Sequence, residues 1–288
     1  MNTLRELLDR ARKTLETSSD NALLDSQVLL AHVLGRDRSW LYGWPEHVPD
    51  AQQVLQFEQL VAQRAAGHPI AHLTGEREFW SLRLGVSRDT LVPRPETEHL
   101  IEIALGLDLP PRARVLDLGT GSGAIALALA AERRDWQITA VDASAGALDI
   151  ARRNAHYLGL GHIEFLLSDW FAALPTQPRF DLILSNPPYI AIGDRHLERG
   201  DLRFEPSQAL VSGTDGLDAI RHIIDTAPAY LPPGAWLWLE HGADQGDQVA
   251  ALLRQRGFDQ VSSQRDLAGH NRHCGGRFAA RSAQPGTG

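Results

Sequence analysis

The amino-acid sequence predicts a doubly wound, mostly parallel α/β fold carried behind a small helical bundle. Three observations point there. From residue 112 onward, short apolar strands alternate with helical patterns. A glycine-rich turn joins the first of those strands to its helix. Before residue 75, only helical periodicity is present.

The bundle comes first. Leu4, Leu7, Leu8, Ala11 and Leu15 follow the spacing of one helix face. Asp20 or Asn21 can cap a second helix carrying Leu23, Leu24, Leu30, Ala31 and Leu34, with Gly35 as its stop. A short helical turn fits residues 39–42. Asp50 can cap a third helix, with Val54, Phe57, Leu60 and Val61 facing inward, ending at Gly67 and Pro69. Residues 1–75 hold seven basic and nine acidic side chains, which suits a protein-docking module better than a nucleic-acid clamp. The plainer alternative is that this part only packs against the rest of the chain. Alternation from Phe79 to Leu91, closed by Pro93 and Pro95, predicts a short β-hairpin. The expected organisation is a helical domain over 1–75, a hairpin linker over 76–95 and an α/β domain over 96–288.

In the α/β part, Val115-Leu116-Asp117-Leu118 is strand one, followed by a helix through Leu129. Strands follow at 138–141, 163–167, 180–185 and 235–239, with helices at 145–158, 217–230 and 245–256. Two final strands near 259–264 and 275–281 have no helix between them, so an antiparallel edge pair is expected. The tail, 282–288, is expected to fray.

Composition narrows the function. Hydrophobic residues make up 43% and charged residues 22% of the 288, ordinary values for a globular protein. There is no apolar run of about 18 residues and no continuous apolar stretch at the start, so neither a membrane span nor a secretory signal is expected. Cys274 is the only cysteine, which excludes an internal disulfide and a cysteine-based zinc site. The twelve histidines show no ligand pattern, and no metal is expected. A cytoplasmic protein is the expectation. A net charge of −8 argues against affinity built on phosphate neutralisation. Lys13 is the only lysine, which reads as a base-composition bias of the genome.

The chemistry gathers at the ends of strands. Gly119-Thr120-Gly121-Ser122-Gly123 lies between strand one and its helix, whose N-terminus offers unpaired N–H groups. Strand two ends at Asp142, whose carboxylate can accept from both hydroxyls of a ribose. A dinucleotide site wants its third glycine five residues after the first. Here Gly123 comes four after Gly119, and Ala124 fills the next place. This form resembles the S-adenosylmethionine loop of class I methyltransferases; a dinucleotide site, or a turn with no ligand, stays open on the loop alone. Ser168-Asp169-Trp170 closes strand three at the same sheet edge, where Trp170 can stack on adenine or simply fill the core.

Strand four runs straight into Asn186-Pro187-Pro188-Tyr189. Two prolines fix φ and remove two N–H donors, leaving rigid backbone acceptors. Asn186 adds a side-chain carbonyl and Tyr189 a flat face. Such a set suits a planar nitrogen, whose lone pair is delocalised and weakly nucleophilic. Two acceptors, Asn186 Oδ1 and the Pro187 carbonyl, can hold its N–H bonds and aim the lone pair at an electrophilic methyl group. A proline-rich turn without function is the alternative.

Asn-Pro-Pro-Tyr with this loop resembles adenine-N6 DNA, guanine-N2 ribosomal RNA and glutamine-N5 protein methyltransferases. Leu91-Val92-Pro93-Arg94-Pro95-Glu96-Thr97-Glu98, Ala31-His32-Val33-Leu34-Gly35, the stretch 69–75 and Arg265-Asp266-Leu267-Ala268-Gly269-His270-Asn271-Arg272 together resemble the release factor glutamine methyltransferases, over residues 1–281. That resemblance implies a class I S-adenosylmethionine methyltransferase fold, Rossmann-like with a mostly parallel seven-stranded sheet. It implies methylation of N5 of the Gln in the Gly-Gly-Gln motif of class-1 peptide chain release factors, with S-adenosyl-L-methionine as cofactor and S-adenosyl-L-homocysteine as product. It places Gly119, Thr120, Gly121, Ser122, Gly123, Asp142, Trp170 and Asn186 at the cofactor. Asn186, Pro187, Pro188 and Tyr189 fall at the glutamine amide, with Asn186, Pro187 and Tyr189 as the catalytic group. Ser122 departs from the Thr more often expected there. The helical domain would dock the release factor, and a monomer without direct nucleic-acid contact is expected. The competing reading is an amino-group methyltransferase of DNA adenine or ribosomal RNA guanine.

Overall fold

A computed structural model describes residues 2–175, 180–198, 200–266 and 269–279. The expected fraying of 282–288, the end of the last predicted strand, and Leu267 and Ala268 of the resembling motif lie outside these residues. The chain divides into two compact units, one of residues 1–76 with 195–204, the other of residues 77–194 with 205–288.

The first unit holds α1 (Leu4–Leu15), α2 (Ala22–Leu34), α3 (Arg38–Gly43), α4 (Ala51–Ala65) and α5 (Ile70–Thr74). Local chemistry explains where they start and stop. Thr3 and Glu6 form a reciprocal capping box on α1, and Asp50 and Gln53 form one on α4. Asn21, not Asp20, caps α2 through Leu24 N, and Gly35 ends it in the left-handed conformation. Leu4, Leu7, Leu15, Leu29, Leu30 and Phe57 form the core. Leu23 is 48% exposed in the first turn of α2, where burial begins only at Ser26. The later segment 195–204 belongs here through Arg64, 12% exposed, which donates to Asp25 Oδ2 and to Asp201 Oδ1, both at 2.7 Å. The ring of His68 lies 4.0 Å from that of Phe204.

β1 (Glu76–Phe79) and β2 (Leu82–Gly85) pair across a two-residue turn. Trp80 and Ser81 both take positive φ there, as the tight hairpin turn requires. Glu98 accepts from Trp80 N, and Glu132 from its indole N–H, both at 2.8 Å, holding a bulky residue in that conformation.

The second unit continues with α6 (Glu98–Gly106), β3 (Arg114–Leu118), α7 (Ala124–Glu132), β4 (Gln137–Asp142), α8 (Ala145–Tyr157), β5 (Glu164–Leu167), β6 (Leu182–Ser185), α9 (Asp218–Thr226), β7 (Trp236–Glu240), α10 (Gly246–Gln255), β8 (Phe258–Arg265) and β9 (Asn271–Phe278). The seven-stranded sheet has the order β5-β4-β3-β6-β7-β9-β8. β3 to β7 are parallel, and β9 runs antiparallel to both β7 and β8, as the missing last helix implies. Side chains alternate between two cores. Val115, Leu182 and Leu184 face α6 and α7, while Leu116, Leu118 and Ile183 face α9 and α10. α7 is buried from Ala124 through Ala130, so it is apolar on every side. The chain crosses from one half of the sheet to the other between β3 and β6. That crevice at the carboxyl ends of the strands is where open α/β sheets bind ligands.

Candidate active site

Four strand ends meet at this crevice. After β3, the N–H groups of Gly119 and Thr120 both donate to the Val141 carbonyl at 2.9 Å, pinning the loop to β4. Gly119 and Gly121 take φ of +71° and +57°, open to glycine without strain. Gly121 N donates to Asp142 Oδ2 and Ser144 N to Asp142 Oδ1, each at 2.8 Å. The Asp142 carboxylate is therefore locked in place, and each oxygen keeps a lone pair for a ligand hydroxyl. Burial pushes its pKa up, against the pull of these N–H bonds.

Ser168 Oγ donates to the Trp170 carbonyl at 2.8 Å and accepts from Ala173 N at 3.0 Å. The tight turn forces Trp170 to φ +48° and brings its ring beside Gly119, where an added Cβ would sit 3.7 Å from Cζ3. The result is a cavity of about 260 Å³ lined by Gly119, Gly121, Asp142, Asp169, Trp170 and Asn186, among others. A fixed acid for ribose hydroxyls, an aromatic wall for adenine and glycines that admit close approach fit S-adenosylmethionine.

Thr120, Ser122 and Gly123 are not among the lining residues. Thr120 Oγ1 donates to the buried Asp117 Oδ2 at 2.6 Å. The Ser122 carbonyl accepts from Asn154 Nδ2 at 2.8 Å. A Cβ at Gly123 would lie 2.9 Å from Leu127 Cδ1 and 3.2 Å from Ala151 Cβ, so this glycine serves the packing of α7 on α8. These three shape the loop from behind.

β6 delivers Asn186 and Pro188 to the same cavity, whereas Pro187 and Tyr189 are not among its lining residues. Ser185 Oγ donates to the Leu118 carbonyl at 2.7 Å, tying the end of β6 to that of β3. Asn186 Nδ2 donates to Thr97 Oγ1 at 3.0 Å, and Thr97 Oγ1 donates to Glu240 Oε2 at 2.7 Å. Tyr189 OH donates to Glu240 Oε1 at 3.2 Å, and the Tyr189 carbonyl accepts from Gln245 Nε2 at 3.1 Å. Burial, with the charge of Glu240 second, holds the Tyr189 pKa above the usual phenol range, so the ring stays neutral. Thr97 lies within the resembling stretch 91–98, but neither it nor Glu240 was expected at the site. The one available signal was an acid ending the apolar run Trp236-Leu237-Trp238-Leu239 at the carboxyl edge of a buried strand.

A glycine loop, a locked acid after β4, an aromatic after β5 and Asn-Pro-Pro-Tyr after β6, on this sheet, define a class I S-adenosylmethionine-dependent methyltransferase. Residues 6–75 match the PrmC N-terminal domain and residues 99–201 the methyltransferase small domain. Similar solved structures include a methyltransferase from Pyrococcus furiosus, 17% identical with a TM-score of 0.53, covering 77% of this chain and 98% of that one. Another is a T. thermophilus 16S rRNA methyltransferase in complex with AdoMet and guanosine, 22% identical with a TM-score of 0.50, covering 70% of this chain and 49% of that one. At these identities the likeness is one of fold. The release factor glutamine methyltransferase of Shewanella oneidensis is 47% identical, over 96% of each chain. That of Xylella fastidiosa (strain 9a5c) is 52% identical, over 88% of this chain and 92% of the relative. The chain belongs to the release factor glutamine methyltransferase family.

Proposed function

We propose that this chain methylates the side-chain amide nitrogen, N5, of the Gln in the Gly-Gly-Gln motif of class-1 peptide chain release factors. The observation that carries the reading is the placement of Asn186 in one cavity with Gly119, Asp142 and Trp170. Bound S-adenosylmethionine supplies the methyl group as a sulfonium electrophile and is left as S-adenosylhomocysteine. Asp142 holds the ribose hydroxyls and Trp170 the adenine. Asn186 Oδ1 and the Pro187 carbonyl accept the two N–H bonds of the substrate amide, turning its lone pair toward the methyl group. The same acceptors strengthen as the nitrogen becomes positive, which lowers the barrier. Tyr189 offers its neutral ring to the amide plane. The methylated nitrogen then loses one N–H proton, which needs no strong base because a cationic amide nitrogen is very acidic.

The helical unit is the docking surface in this reading. Its small acidic excess and the exposed Tyr42 and Trp44, 65% and 60% accessible, suit a protein partner. A net charge of −8 suits an enzyme without direct nucleic-acid contact, and a monomer is part of this reading.

Purified protein is expected to move labelled methyl from S-adenosylmethionine to a release factor. Label found in DNA or RNA and none in the release factor would overturn the reading. Asn186→Ala is expected to lower transfer by about 10³-fold, with cofactor affinity changed by less than about tenfold. Isothermal titration beside the transfer assay separates the two effects.

A further inference from the structure

Thr97 and Glu240 do not line the cavity, but Thr97 is hydrogen-bonded to Asn186, which does. Glu240 is 1% exposed, and its two oxygens accept from Thr97 Oγ1 and Tyr189 OH. A carboxylate has no proton to give. The Thr97 hydroxyl hydrogen therefore points at Glu240 Oε2, 2.7 Å away, and toward Asn186 the same oxygen can only accept. Only the NH₂ end of a carboxamide can meet it, at the observed 3.0 Å. A half-turn of the amide would set two acceptor oxygens against each other, with no hydrogen between them and the Thr97 oxygen buried.

We propose that Glu240 and Thr97 are positioning residues that fix Asn186 with Nδ2 inward, so that Oδ1 is presented to an N–H of the substrate amide. The network then selects as well as orients. An outward Oδ1 attracts the NH₂ of glutamine and repels the carboxylate of glutamate. Tyr189, hydrogen-bonded to the other oxygen of Glu240, is held by the same group. One buried acid thus orders both side chains of the segment.

The proposal rests on the reading that Asn186 holds the substrate amide, and the variants keep the two apart. Thr97→Val removes the hydroxyl at nearly constant shape; Thr97→Ser keeps it. All are assayed as full-length protein whose cofactor affinity matches the unsubstituted chain, with Thr97→Ala replacing Thr97→Val if valine is not accommodated. Thr97→Val is expected to lower kcat at least about tenfold with the KM for cofactor within about threefold. Thr97→Ser is expected to restore kcat to within about threefold. A release factor carrying Gly-Gly-Glu should compete at least about tenfold more tightly against Thr97→Val than against the unsubstituted enzyme, because the freed carboxamide can turn its NH₂ outward. A Thr97→Val enzyme with undiminished kcat, a Thr97→Ser enzyme that falls as far as Thr97→Val, or unchanged competition by the Glu substrate each overturns the positioning role. An active Asn186→Ala enzyme sinks the underlying reading instead.

Discussion

Asp117 lies inside the buried stretch of β3 without solvent contact, and its two oxygens are unequally served. Oδ2 accepts from Thr120 Oγ1 and Ala126 N, at 2.6 and 3.2 Å, while Oδ1 has no hydrogen-bond partner. Burial is the largest influence and pushes the pKa from 3.8 to about 7. The folded state then holds this proton more tightly than the unfolded chain does. Stability contributed by the group is complete below the unfolded pKa and is lost as pH rises through the folded one. Between about pH 4 and 7 the loss is at most about 1.4 kcal/mol per pH unit. Thermal unfolding of the cofactor-free protein should show a Tm falling from pH 5 to 8, and Asp117→Asn should flatten the slope. An equal slope in both proteins would show that other groups set it. At this scale Asp142 and Asn186 were legible in the sequence because each ends a strand inside a recognisable pattern. Thr97 and Glu240 were not, because they act through a third residue and their meeting joins a 3₁₀ turn to a strand end far away in the chain.

The glycine loop and its helix illustrate the next scale, since three similar glycines do different work there. Gly121 has nothing within 4 Å of an added Cβ and lines the cavity, whereas a Cβ on Gly123 would collide with Leu127 and Ala151. Gly123→Ala is expected to cost about 2–4 kcal/mol, from overpacking and left-handed strain, with modest change in cofactor affinity. Gly121→Ala should cost only about 1–2 kcal/mol while weakening cofactor binding at least about tenfold. Denaturant midpoints and cofactor titration on both variants would expose any reversal of these roles. The longer elements were readable from periodicity and caps. α5 and α6, of 5 and 9 residues, were not foreseen. The helix expected over 217–230 stops at Thr226 because Pro228 lacks an N–H, and the chain continues as a 3₁₀ turn over Ala227–Ala229.

At the scale of the molecule, Arg64 joins pieces of chain that lie far apart in sequence. Its side chain and that of Asp25 are only 12% and 14% exposed, so deleting the guanidinium would leave Asp25 poorly compensated. Arg64→Ala is expected to destabilise the helical unit by about 3 kcal/mol and to open 195–204 to trypsin, which can cut at Arg195 and Arg203. Equal protease resistance in both proteins would show that the other contacts of 195–204, the His68–Phe204 rings and the Arg203 bond to the Ala66 carbonyl, suffice. No periodicity reports such a union, because segment 195–204 is short and follows the Asn-Pro-Pro-Tyr turn.

That union also sets a timetable on the ribosome. The five helices emerge first, but Asp201 and Phe204 are not made until β3 to β6 have been synthesised. Domains fold in order of emergence. The nascent bundle must wait with Arg64 and His68 short of their last partners, and it is completed only by residues arriving from the middle of the other unit. A chain stalled before residue 195 should therefore carry a helical bundle that proteases open readily, and one released past residue 204 should not.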